Sequence, residues 1–176
     1  MHPCQPDEMT QSSLSELAES LNALYRLSGS RGVHAATVAA TGVQVSRTGL
    51  QFLSLVDDRG PVSPTVLATV LDVSQPTASR VLQSLETDGL VSRRASSSDG
   101  RVWHYVVTAK GKRALARVHR YHVEQLASVL ADVDDVRREA IAGAITEFVD
   151  RLRAASRAVD EPADTPAPTA PRRRAS

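Results

Sequence analysis

The sequence has a single cysteine, Cys4, which excludes an internal disulfide framework and any cysteine-rich zinc module. Aromatic residues are 3% of the chain, too few to stack the successive bases of a single strand. Lysine is almost missing. Lys110 and Lys112 are the only two among 21 basic residues, so positive charge rests on arginine, which suits phosphate recognition. No run of about 18 apolar residues occurs, which excludes a membrane-spanning helix. The first residues, MHPCQPDEMT, lack the basic-then-apolar order of a signal peptide, so the expected compartment is the cytoplasm. There is no glycine-rich phosphate loop, no G-x-S-x-G and no H-E-x-x-H. The expectation is therefore a non-enzyme without metal or cofactor.

A net charge of +1 over 176 residues excludes a uniformly basic nucleic-acid coat. Its distribution says more. Residues 1–73 carry four basic and seven acidic residues. Residues 74–120 carry nine basic residues against Glu86, Asp88 and Asp99, a net +6. Residues 121–160 return to net −3. A basic middle between acidic flanks is a candidate polyanion footprint.

Residues 1–11 are polar and without periodicity and are expected to be disordered. So are residues 157–176, where Pro162, Pro166, Pro168 and Pro171 alternate with small residues ahead of Arg172–Arg174. Between these ends, residues 12–156 read as one mainly α-helical domain. Leu14, Leu17, Leu21, Leu24 and Leu27 repeat at steps of three and four, and the helical pattern runs to Gly42, weakened at SGSRG, residues 28–32. Ser46 and Ser63 are N-caps for two further helices, one carrying Leu50, Phe52, Leu53 and Val56, the other Val66, Leu67 and Val70.

Asp72-Val73-Ser74 is a tight turn into a helix over 75–88, with Pro76 in its first turn and Gly89 as its stop. Ala78, Val81, Leu82 and Leu85 share its buried face. The period then shortens: 90–94 and 101–107 read as two strands around a polar turn. Thr108 caps a helix over 109–131. A last helix, over 135–156, carries Val136, Ala140, Ile141, Ala144, Ile145, Phe148, Val149 and Leu152 on one stripe.

Two helices joined by a short turn and followed by a basic hairpin make a winged helix-turn-helix, here over 46–107. A 14-residue helix is about 20 Å long and fits a major groove about 12 Å wide. Ser74 and the free N–H groups of the first turn can hold a phosphate. Gln75, Thr77, Ser79, Arg80 and Gln83 can reach bases or phosphates, and Arg94 and Arg101 on the hairpin can meet the neighbouring backbone or minor groove. The stripes of the regions 12–42 and 109–156 exceed what the compact winged region can cover. They predict a homodimer, whose two recognition helices lie about 34 Å apart and read a two-fold symmetric duplex site.

The run VLATVLDVSQPTASRVLQSLETDGLVSRRASSSDGRVWHYVVTAKGKRAL resembles the central segment of MarR-type transcriptional regulators. The resemblance rests on the helix-turn-helix, the DGLVSRR exit, Asp99-Gly100-Arg101 in the wing, and Thr108 with Gly111 opening the next helix. Gln75-Pro76 at the start of the recognition helix departs from the family pattern. The resemblance implies long dimerisation helices at both ends and repression of nearby genes. It also implies release by a small aromatic or phenolic effector, and a wing braced by Asp99. On placement, Arg31, His34 and Gln51 are the candidate effector-lining residues. Redox sensing is not expected of Cys4, because the peroxide-sensing branch of the family carries its cysteine within the first helix. His119 and His122, at i and i+3, are read as surface residues rather than metal ligands. Trp103 and Tyr105 are read as packing under the wing. A protein-interaction module of the same fold, without specific DNA binding, is the rival reading.

Overall fold

The structure is a computed structural model that describes residues 6–95 and 103–160. The chain divides into two compact units, Met1–Leu126 and Ala127–Ser176. In chain order the elements are α1 (Pro6–Ser28), α2 (Arg31–Thr41), α3 (Arg47–Arg59), α4 (Pro64–Val70), α5 (Gln75–Thr87), β1 (Val91–Ala95), β2 (Trp103–Val107), α6 (Ala109–Val129) and α7 (Asp135–Asp160).

Three sequence boundaries move. Helix α1 starts at Pro6, inside the segment 1–11 expected to be disordered. Proline has no N–H to leave unsatisfied and is at home in the first turn of a helix. The single weakened helix over 12–42 is two helices. Ser28 Oγ donates to the Leu24 carbonyl at 2.5 Å, Gly29 N–H to the Tyr25 carbonyl at 3.0 Å, and Ser30 then caps α2 by accepting from Val33 N–H at 3.3 Å. Helix α7 runs to Asp160, four residues beyond 156. Its alanines and arginines keep the helix going until the approach to Pro162, before which α conformation is disfavoured. The Arg172–Arg174 cluster lies outside the described residues, as does Cys4.

The core of the first unit is built from one face each of α3, α4, α5, the two strands and the start of α6. Phe52, Leu53, Val56, Leu67, Leu82, Leu85 and Val91 are almost wholly buried, with Tyr105, Ala114 and Val118 packed beside them. Helix α5 packs against α3 and α4. The strands are antiparallel, with Val91 opposite Val107, Arg93 opposite Tyr105 and Ala95 opposite Trp103. Val62, ahead of α4, adds a bridge to Tyr105: its N–H donates to the Tyr105 carbonyl at 3.2 Å, and Tyr105 N–H donates back at 2.8 Å.

Thr108 and Gly111 lock the wing exit to the end of α5. Thr108 Oγ1 donates to the Gly89 carbonyl at 2.7 Å and accepts from Gly111 N–H at 3.1 Å. Gly111 lies so close to Leu90, just ahead of β1, that a Cβ there would collide with the Leu90 carbonyl and stand 2.8 Å from Val107 Cγ1 of β2. Gly111→Ala is therefore expected to destabilise by about 1–3 kcal/mol through overpacking. Thermal melting checks this, and an unchanged midpoint would refute the close approach.

In the second unit, Asp134 caps α7 by accepting from Arg137 N–H at 2.9 Å. Arg138 donates to the Val133 carbonyl at 2.6 Å and to Asp135 at 2.7 Å, fastening the turn that opens the helix. Among the described residues no helix is long and apolar enough to cross a membrane.

Candidate nucleic-acid interface

The turn between α4 and α5 is held by Val73 N–H donating to the Ala68 carbonyl at 3.0 Å. Asp72 takes the left-handed conformation there, φ 49°, which aspartate tolerates better than most residues. Ser74 is the N-cap of α5: its hydroxyl accepts from Thr77 N–H at 3.3 Å and lies 2.9 Å from the Thr77 hydroxyl. Gln75 Nε2 donates to Thr65 Oγ1 at 3.3 Å, tying the start of α5 to α4. Ser74, Gln75 and Thr77 thus help set the helix in place, with Ser74 and Gln75 also exposed.

Farther along α5, Ala78, Leu82 and Leu85 are buried. At 100° per residue the face opposite them holds Pro76, Arg80, Gln83 and Ser84. Arg80, Gln83 and Ser84 are exposed in the structure, while Ser79 is half-buried on the flank shared with Glu86. The outward face therefore offers one guanidinium among small polar groups, with no bulky side chain to keep the backbone away from a base edge.

The described part of the wing carries Arg94, exposed and opposite His104. Arg101, and Asp99, which the resemblance expects to brace the wing, lie outside the described residues. One sequence expectation needs correction. Tyr105 packs under the wing, but Trp103 is 46% exposed. Trp103 pairs with Ala95, beyond the reach of the core, and instead carries the Arg93 guanidinium 5.3 Å from its ring centroid. Arg93 Nε also meets Glu86 Oε1 of α5 at 3.2 Å. Glu86, Arg93 and Trp103 form a strap between α5 and the wing. Strand alternation puts Arg93, Tyr105 and Trp103 on one face, but only once the register across the turn is known. Burial, with Glu86 adding to it and Arg93 opposing, holds the Tyr105 hydroxyl pKa above its usual value.

A second feature of this unit is an open cavity of about 620 Å³. Of the three residues expected to line an effector site, His34 and Gln51 line this cavity and Arg31 does not. Arg31 is the first residue of α2 and points to solvent. Its place is taken by Arg47, whose Nη1 donates to the Gly29 carbonyl at 2.8 Å. His119 and His122 are exposed, and they line the same open cavity with Asp57 and Asp58. Among the described residues no group of three or more His, Cys, Asp or Glu is arranged to hold a metal ion.

Residues 43–102 match the model of the MarR family. The transcriptional repressor YetL of Bacillus subtilis is 29% identical over 91 residues, 52% of this chain and 54% of that protein. The uncharacterised regulator YdgJ of the same organism is 28% identical over 120 residues, 65% of this chain and 72% of the other. The matched stretch thus spans about half the length of YetL. Among solved structures, a MarR family protein from Bacillus stearothermophilus superposes with a TM-score of 0.65 at 18% identity, covering 83% of this chain and 97% of the other. RV1404 from Mycobacterium tuberculosis gives 0.64 at 18% identity over 87% and 98%. Both show the same fold. The segment 43–102 is thus similar to the MarR family, and the solved structures share the winged helix-turn-helix and the order of helices around it.

Proposed function

We propose that the chain is a sequence-specific, duplex-DNA-binding transcription repressor. It acts in the cytoplasm as a homodimer on a two-fold symmetric site and catalyses no reaction. The observation that carries this reading is the outward face of α5. A capped helix backed by buried Ala78, Leu82 and Leu85 presents Arg80, Gln83 and Ser84 to solvent beside an arginine-bearing wing. Arg80 and Gln83 read base edges, while Ser74, Gln75, Thr77 and Ser79 in the first turns set the helix against the phosphates, and Arg94 and Arg101 hold the adjacent backbone. The repressor sense is supported by YetL, which is named a repressor. The cavity bounded by His34, Arg47, Gln51 and His119 is the effector site of this reading. Its mixture of Leu50, Leu55 and Leu71 with ring and guanidinium donors suits a small aromatic or phenolic compound. Occupancy would shift the balance between DNA-competent and incompetent spacings.

A site enriched from random duplexes provides the test. Arg80→Ala should weaken binding to that site by about 1–3 kcal/mol and binding to random duplex far less. Arg94→Ala should weaken both to a similar degree, because a phosphate contact carries no sequence information. If Arg80→Ala keeps full affinity with an intact fold, α5 is not the reading element. A wild-type chain that enriches no duplex favours the protein-interaction module.

A further inference from the structure

Helix α6 breaks a local electrostatic rule. The N-terminal end of a helix is the positive end of its dipole and favours acids. The first turns of α6 instead hold Lys110, Lys112 and Arg113, with no acidic residue in the first turn. Lys110, Arg113, Arg117 and Arg120 are all exposed. They fall within about 80° of arc at 100° per residue. Three arginines of α7 are neutralised on their own helix: Arg138 by Asp135 at 2.7 Å, Arg151 by Glu147 at 2.6 Å and Arg153 by Asp150 at 3.3 Å. Among the described residues, none of the α6 cations is in an ion pair. Lys110 is engaged otherwise, its Nζ donating to the Asp88 carbonyl at 2.6 Å. A face that only keeps the protein in solution has no need to concentrate one sign against its own dipole. Departures of this kind are where function is expected.

The stripe is also joined to the recognition helix. Lys110 and Arg117 line a shallow groove with Gln44, Val45 and Asp88. Those last three also line the next groove, whose far wall is Arg80 and Ser84 of α5. From Arg113 to Arg120 the helix rises about 10 Å, the length of about three phosphates along one strand of duplex.

We infer that Arg113, Arg117 and Arg120 form a second phosphate-binding surface, which holds duplex DNA flanking the site read by α5. This rests on the DNA-binding reading above. The flank contact is independent of base sequence and lengthens the footprint beyond the symmetric core.

The test uses the full chain and a triple variant, Arg113→Gln, Arg117→Gln and Arg120→Gln, checked for fold by circular dichroism. Binding is measured across a salt series on two duplexes with the same enriched core, one of about 20 bp and one of about 50 bp. The wild type should bind the long duplex more tightly and with the steeper salt dependence. On the long duplex the variant should bind about tenfold more weakly, with a salt slope lower by about 2–3 units. On the short duplex it should match the wild type. Equal affinity and slope for variant and wild type on the long duplex overturn the inference and leave the α5 reading intact. Failure of the wild type to bind either duplex overturns both. If the triple variant instead loses binding to poly-L-glutamate while its DNA slope is unchanged, the face belongs to an acidic protein partner and the inference is wrong.

Discussion

Leu17→Glu combined with Leu24→Glu is expected to leave a folded monomer of 18.9 kDa that no longer binds a two-fold symmetric site tightly. The stripe on α1 is open in the single chain: Leu14, Leu17, Leu21, Leu24 and Leu27 are between 37% and 68% exposed. On α7, Val136, Ile145 and Leu152 are more than half exposed. Contiguous apolar surface of this kind is uncommon on a monomer and marks a site of association. The proposed occupant is a second copy of the chain, since a symmetric pair covers both stripes at once. Each of the two leucines has about half its surface left to bury, so about 1 kcal/mol is at stake per side chain and about 4 kcal/mol per dimer. Enclosing four carboxylates in that interface adds a larger penalty. The substituted positions are outside the core, so the fold of the single chain should survive. Sedimentation equilibrium with circular dichroism decides the matter. A wild type already monomeric at micromolar concentration, or a variant that stays dimeric, overturns the homodimer.

The parts of this fold that a reader of the sequence can find are those encoded within a few residues. Ser46, Ser63 and Ser74 each accept from the N–H three residues on, as N-caps do. Gly42, Gly60 and Gly89 follow α2, α3 and α5 with positive φ. The heptad-like leucines, the buried triplet of α5 and the alternation of the wing follow from period alone. What stayed hidden depends on meetings between distant segments. The bridge between Val62 and Tyr105 joins positions 43 residues apart, and nothing local to either encodes it. Trp103 looked like a core aromatic because its neighbour in the alternation, Tyr105, is one. Only the register places it at Ala95, past the edge of the core. Arg31 and Arg47 are equally plausible in sequence as cavity residues. The Gly29 carbonyl, at the break between α1 and α2, accepts from Arg47, which lines the cavity. The candidate site was legible as a helix and a wing. The strap of Glu86, Arg93 and Trp103 was not, because it needs the helix, both strands and their packing at once.

That packing is also where the fold is most vulnerable. Phe52 of α3 is wholly buried, in the cluster that includes Leu53, Leu67, Leu82 and Leu85. Helix α3 is one of the two helices against which α5 rests. Phe52→Ala removes a ring that close-packed neighbours cannot replace, so the loss combines transfer free energy with a residual cavity. The expected cost is about 3–5 kcal/mol, a large share of the about 5–15 kcal/mol that holds a typical domain folded. At about 2–4 °C per kcal/mol for a chain of this size, the melting midpoint should fall by about 6–20 °C. Phe52→Leu keeps most of the apolar volume and should lose much less. The two variants together separate cavity formation from a general intolerance of change at this position. DNA affinity should follow stability and not chemistry. At a temperature where Phe52→Ala remains folded, its selectivity for the enriched site over random duplex should equal the wild type's, because no base-reading group has been altered. A midpoint that moves by less than about 2 °C would show that Phe52 does not carry the core. A folded Phe52→Ala variant that has lost selectivity would show that α3 positions α5 for reading as well as supporting it.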